Sequence, residues 1–149
     1  MIEIRTILAP TDFSPHAEKA VRYACGLAER FEAELHLLHV LSDIVPTGPD
    51  PMLASVLPPE YYKESEEQSR QTLSELLAPS WGRPRSVVTA VRWGTPVEEI
   101  VAYARAASVD LIVIATHGRT GLSHVLLGSV AERMIREAPC PTLTIRSRD

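Results

Sequence analysis

Gly118, Gly128 and Ser129, within the run from Asp110 to Ser129, have the types and spacing to hold a phosphate. The order there is an apolar strand, a glycine-bearing loop and a helix start. A helix N-terminus offers backbone N–H groups without intrahelical partners, and its dipole favours an anion. Glycine at 118 and 128 leaves the backbone open to close approach. The Ser129 hydroxyl could donate to a phosphate oxygen, and Arg119 could add a charged donor. The same residues are also accounted for if Gly118 and Gly121 only turn the chain and Ser129 only caps a helix. Glu132, one turn into that helix, would repel an anion. A capping-box bond back to the Ser129 N–H would hold it aside, or a divalent ion could intervene.

Asp12 is the second residue of interest, because it follows a strand and precedes a helix. It could accept from a ribose hydroxyl or an exocyclic amine, or simply stabilise the next helix N-terminus. His117 lies in the glycine loop, where it could touch a ligand or face solvent; His124 reads as surface. His36 and His39 are three apart on a strand and so point to opposite faces, which rules out a shared metal and leaves them as packed histidines. No carboxylate pair or nucleophile–base pair is spaced for catalysis. A P-loop, a G-x-G-x-x-G fingerprint after the first strand and a G-x-S-x-G elbow are all missing.

The elements that must position these residues follow from periodicity. Thr6 to Pro10 is an apolar run and a first strand. Ser14-Pro15 opens a helix, with Ala17, Ala20, Val21, Ala24, Leu27, Ala28 and Phe31 forming its core stripe. Leu35 to Leu41 is a second strand. Ser42 to Pro59 is a proline-rich surface loop, and loops of that length are commonly functional. Glu60 to Leu77 is a helix with a polar middle. Ser86 to Trp93 is a third strand. Thr95-Pro96-Val97-Glu98 reads as a capping box, Leu111 to Ala115 as a fourth strand, Ser129 to Glu132 as another capping box, and Pro141 to Arg146 as a final strand. This alternation predicts an α/β fold: a doubly wound, five-stranded parallel sheet with helices on both faces. Ligands of such sheets sit beyond the carboxyl ends of the strands, where connections diverge. That singles out the loops after strands one and four, Pro10-Thr11-Asp12 and Thr116-His117-Gly118-Arg119.

The 149 residues suit a single domain, 1–149, and are 45% hydrophobic and 23% charged, with a formal net charge of −4. No basic stripe marks a nucleic-acid binder. No apolar run spans a bilayer and no signal peptide is evident, which gives a cytoplasmic expectation. Cys25 and Cys140 form no C-x-x-C pair and are expected to be reduced structural cysteines.

The run Asp110 to Leu122, then Leu126-Leu-Gly-Ser-Val-Ala-Glu-Arg133, Ala138-Pro-Cys-Pro141, Gly94 to Ile100 and the opening Ile7 to Ser14 resemble the universal stress protein family over essentially the whole chain. The family's ATP-binding members carry G-x-x-G, nine residues, then G-[ST]. Here Gly118, nine residues and Gly128-Ser129 match, while Ala115 replaces the first glycine and weakens close approach there. The resemblance implies a Rossmann-like, adenine nucleotide α-hydrolase-like fold. It implies that Asp12 and the backbone near Val40 hold adenine and ribose, and that Gly118, Arg119, Gly128, Ser129 and Val130 surround the phosphates; Pro10, Thr11, Ala115 and His117 are expected among the nucleotide-binding residues as well. It implies ATP as the ligand, with AMP or cyclic AMP as alternatives and Mg²⁺ or Mn²⁺ accompanying the nucleotide. It also implies a homodimer through Thr142 to Arg146, which would protect an edge strand. A nucleotide-dependent stress-response module is the reading this favours, with a slow ATPase or autophosphorylating enzyme, and a nucleotide-free interaction protein, as alternatives.

Overall fold

Strands apolar on both sides need cover on both sides, and all five strands lie in one parallel sheet that helices cover on both faces. The computed structural model describes residues 1–42, 57–118 and 127–147. Most of the expected loop Ser42 to Pro59, and all of Arg119, Gly121 and His124, lie outside them. In chain order the elements are β1 (Thr6–Pro10), α1 (Pro15–Phe31), β2 (Glu34–Leu41), α2 (Pro59–Glu75), a 3-10 turn at Pro79–Trp81, β3 (Ser86–Trp93), α3 (Pro96–Ala106), β4 (Leu111–Ala115), α4 (Ser129–Glu137) and β5 (Thr142–Ile145). The sheet order is β3-β2-β1-β4-β5, and each neighbouring pair is parallel. The chain runs outward from β1 to β2 and β3, then restarts on the other side at β4. The β1/β4 boundary is therefore the switch point.

Alternation along the strands divides the core. Ile7, Ala9, Leu35, Leu37, Val113 and Ala115 pack with Ala20, Val21, Ala24 and Ala28 of α1 and Leu73 of α2. Leu8, Leu38, Ile112 and Ile114 pack with Val97, Ile100 and Ala104 of α3 and Met134 of α4. The α1 stripe differs from expectation at its end: Phe31 is exposed and Cys25 is buried. The helix stops just after Phe31, where Glu32 turns left-handed with φ 52°.

Neither expected capping box forms. Thr95 is the cap of α3 and Gly128 the cap of α4, and no side-chain hydrogen bond closes either one. Glu99, not Glu98, folds back, its carboxylate standing where a Cβ on Gly94 would be. Gly94 has φ 144°, a conformation open to glycine. Glu132 pairs forward with Arg136. With Gly128 as the cap, Glu132 is the fourth helical residue rather than the third, so capping-box geometry is lost and its i,i+4 partner Arg136 takes it.

His36 and His39 take opposite faces, as expected. Glu34 can only accept, so the His36 Nε2–H donates to it at 2.6 Å, and in the neutral ring Nδ1 then accepts from the Tyr103 hydroxyl at 2.7 Å. The Ser86 hydroxyl donates to the other Glu34 oxygen at 2.6 Å. The bonds from Ser86 and then His36 hold the Glu34 carboxyl below the usual glutamate range. A lowered folded-state value means its stabilisation is complete above the unfolded pKa and lost as pH falls through the folded one. Glu34→Gln is therefore expected to melt below the parent at neutral pH. Titrating both proteins into acid should show the gap closing as Glu34 protonates; a gap constant with pH would contradict this. Burial, with the Glu29 charge adding to it, raises the Cys25 thiol pKa, and burial raises that of Cys140. Both cysteines are free, and a raised thiol pKa lowers the thiolate fraction on which reactivity depends.

Candidate functional site

Beyond β1 the chain is tied at every residue. The Thr11 N–H donates to Leu38 O at 2.9 Å, the Phe13 N–H to Thr11 Oγ1 at 3.0 Å, and the Ser14 N–H to Asp12 Oδ1 at 2.9 Å. Ser14 caps α1 by accepting from the Ala17 N–H at 3.2 Å. Phe13 holds φ 62°, an uncommon state for an aromatic residue that only a well-determined surround maintains. Its ring lies on His39, centroids 4.3 Å apart, while His39 Nδ1–H donates to Thr11 O at 2.7 Å. The outcome is a fixed orientation for Asp12.

The β4 side meets this loop directly. A Cβ on Gly118 would stand 2.8 Å from Asp12 Oδ2, so the missing side chain is what lets the carboxylate and the strand-four backbone lie together. Gly128 N–H donates to Thr116 O at 2.6 Å, which fastens the start of α4 to the end of β4. A Cβ on Gly128 would be 3.0 Å from that same carbonyl. Gly128 thus meets backbone that must give way to any side chain, whereas a side chain at 118 would push the Asp12 carboxylate aside.

These loops enclose a cleft of about 290 Å³. Every expected site residue within the described residues lines it: Pro10, Thr11, Asp12, Val40, Ala115, His117, Gly118, Gly128, Ser129 and Val130. Arg119 lies outside the described residues. Ala17, Leu38, Pro96, Ile100, Ile114 and Thr116 also line the cleft and were not singled out from the sequence. Pro96 and Ile100 form an i,i+4 pair at the start of α3, after β3, and parallel pairing of Val40 with Arg92 brings that helix start alongside. The Thr95-Pro96 helix start was the signal that could have found them. Ala115 is a smaller departure than its sequence suggests, because its side chain belongs to the α1-side core with Val113 and Ile145.

The walls are chemically unequal. Leu38, Val40, Pro96, Ile100 and Ile114 are apolar; Thr11, Asp12, Thr116, His117, Ser129 and the α4 amides are polar. Asp12 is the one charged side chain among the described lining residues. An apolar slot against hydrogen-bonding groups and an open helix N-terminus can take a flat ring at one end and an anion at the other. Among the described residues no three metal-binding side chains converge, and no helix is long and apolar enough to cross a membrane.

Comparison with known proteins gives a consistent picture. The family model of the universal stress proteins matches residues 3–146. A universal stress protein of Methanocaldococcus jannaschii is 36% identical over 143 residues, spanning 95% of this chain and 82% of that protein. The solved universal stress protein UspA from Lactobacillus plantarum superposes with a TM-score of 0.76 at 28% identity, covering 97% of this chain and 99% of that one. A universal stress protein solved in complex with cAMP shares the fold, at TM-score 0.68 and 24% identity, over 97% of this chain and 99% of that one. With sequence match, sheet order and structural likeness in agreement, the chain belongs to the universal stress protein family.

Proposed function

We propose that the cleft binds an adenine nucleotide, ATP foremost, and that the protein is a nucleotide-dependent regulatory module of the stress response. The observation that carries this reading is the meeting of Asp12 with Gly118 across the switch point, beside an apolar slot and the N-terminus of α4. Val40 and the residues beside it take the base, Asp12 accepts from the ribose hydroxyls, Gly118, Ser129 and Val130 give the phosphates their donors, and Gly128, its own N–H bonded to Thr116 O, fixes the start of α4 beside them. The described lining offers no lysine or arginine, so phosphate charge is met by helix amides, by Arg119 and by a divalent ion such as Mg²⁺ or Mn²⁺. The turn of Glu132 toward Arg136 removes the repulsion a capping-box glutamate near the helix start would exert. The whole chain acts as one domain, and pairs with a second copy through β5. In support, β5 is a sheet edge, with Leu143 and nearby Ile135 exposed.

Purified protein is expected to melt higher with ATP. Ligand at about a hundredfold over Kd adds roughly 2.7 kcal/mol to the native state. Asp12→Ala should remove most of that gain, because Asp12 holds the ribose and faces Gly118. The absence of any shift with ATP, ADP, AMP or cyclic AMP would refute the nucleotide reading.

A further inference from the structure

A second groove, open and of about 590 Å³, runs along α1 and shares no lining residue with the cleft at the switch point. Lys19, Arg22, Tyr23 and Gly26 line it at i, i+3, i+4 and i+7, so they form one stripe of the helix. Leu27 and Trp81 also line it and pack on the edge of the core. The turn that carries Trp81 is held against α1: Cys25 Sγ–H donates to Gly82 O at 3.6 Å, and a Cβ on Gly82 would stand 3.2 Å from Cys25 O. Gly26 is the informative residue. It lies inside α1, where only proline is less favourable than glycine. A Cβ there would meet only Trp81 O, at 3.7 Å, an ordinary contact. Packing within the chain therefore accepts a larger residue, and the effect of the glycine is to deepen the groove beside Tyr23 and Trp81.

We propose that this groove docks an acidic peptide segment of a partner protein, with an apolar side chain seated over Gly26 and carboxylates on Lys19 and Arg22. Charge complementarity names the occupant. Both charged lining residues are cations, in a chain of net charge −4. Neither is in an ion pair among the described residues, although Glu18 stands four residues before Arg22. Two cations are few for a nucleic acid, which needs a basic stripe. An open groove does not bury most of a small ligand as an enclosed pocket does. Tyrosine, tryptophan and arginine are the residues that carry most of the energy in protein interfaces, and the groove offers Tyr23, Trp81 and Arg22 together.

Random peptides displayed on phage are panned on the full chain, and those recovered are remeasured as labelled synthetic peptides by fluorescence polarisation. The enriched peptides are expected to carry carboxylates beside an apolar residue and to bind more weakly as salt rises. Gly26→Gln, which fills the groove, should weaken them at least about tenfold while raising Tm by about 1–3 °C, because glutamine is the better helix former. Lys19→Glu combined with Arg22→Glu leaves the core untouched and should weaken them by at least as much. Recovery of no acidic peptide, or peptides that bind both variants as tightly as the parent, would overturn the proposal. So would a Gly26→Gln protein that melts well below the parent, since the glycine would then serve the fold. Sedimentation showing a dimer that Gly26→Gln abolishes would overturn it in favour of a second copy of this chain.

Discussion

Gly128→Val is expected to lower ATP affinity more than about a hundredfold, a loss of about 2.8 kcal/mol. A single Cβ at this position would stand 3.0 Å from Thr116 O and 3.5 Å from His117 Cα, both backbone atoms that cannot rotate aside. Valine adds two further methyls, so the Gly128–Thr116 hydrogen bond at 2.6 Å must open. The start of α4 then leaves the strand-four loop, and the donors aimed at the phosphates move with it. Some stability goes too, about 1–3 kcal/mol for overpacking of this kind. Isothermal calorimetry on variant protein that still melts cooperatively separates the two losses. An affinity within threefold of the parent would place the phosphates elsewhere on the protein.

Leu37→Ala should cost about 2–5 kcal/mol of folding stability and lower Tm by roughly 5–15 °C. Leu37 is completely buried in the interior strand β2, between Ala9 and Thr89, on the α1 side of the sheet. Its neighbour Leu38 points to the other face and lines the cleft. The pair therefore makes a controlled comparison. Leu37→Ala, measured well below its Tm, should bind ATP within a few-fold of the parent, whereas Leu38→Ala should lose stability and affinity together. If Leu37→Ala weakened binding as much as Leu38→Ala, the assignment of Leu37 to the core and of Leu38 to the cleft would be wrong.

Strand positions were legible because each strand carries a signal of its own. β1, β3 and β4 match their expected limits, each an apolar or β-branched run closed by turn residues such as Pro10 or Gly94. Helix ends were less legible. Expected to Leu77, α2 stops at Glu75, and Leu76 and Leu77 pack on the core from beyond it. Side-chain partners were least legible. The Ser129–Glu132 spacing fits a capping box, yet Glu132 has Arg136 at an equally favourable spacing and takes it. Local spacing supplies several partners for one carboxylate, and only the position of the helix start decides among them.

Alternation of strands and helices in the sequence was enough to imply a parallel doubly wound sheet, because parallel strands require crossovers and crossovers must cover both faces. It was also enough to place glycines after the fourth strand and an aspartate after the first. Bringing those two together belongs to tertiary structure. Asp12 and Gly118 are more than a hundred residues apart, and their contact exists because β4 joins the sheet beside β1 rather than beside β3. The apolar slot from Leu38, Pro96 and Ile100 depends on the same strand order. A sequence encodes each element's own preferences in neighbouring residues, whereas a cleft between loops is a property of which strands become neighbours, and that is settled only when the core closes.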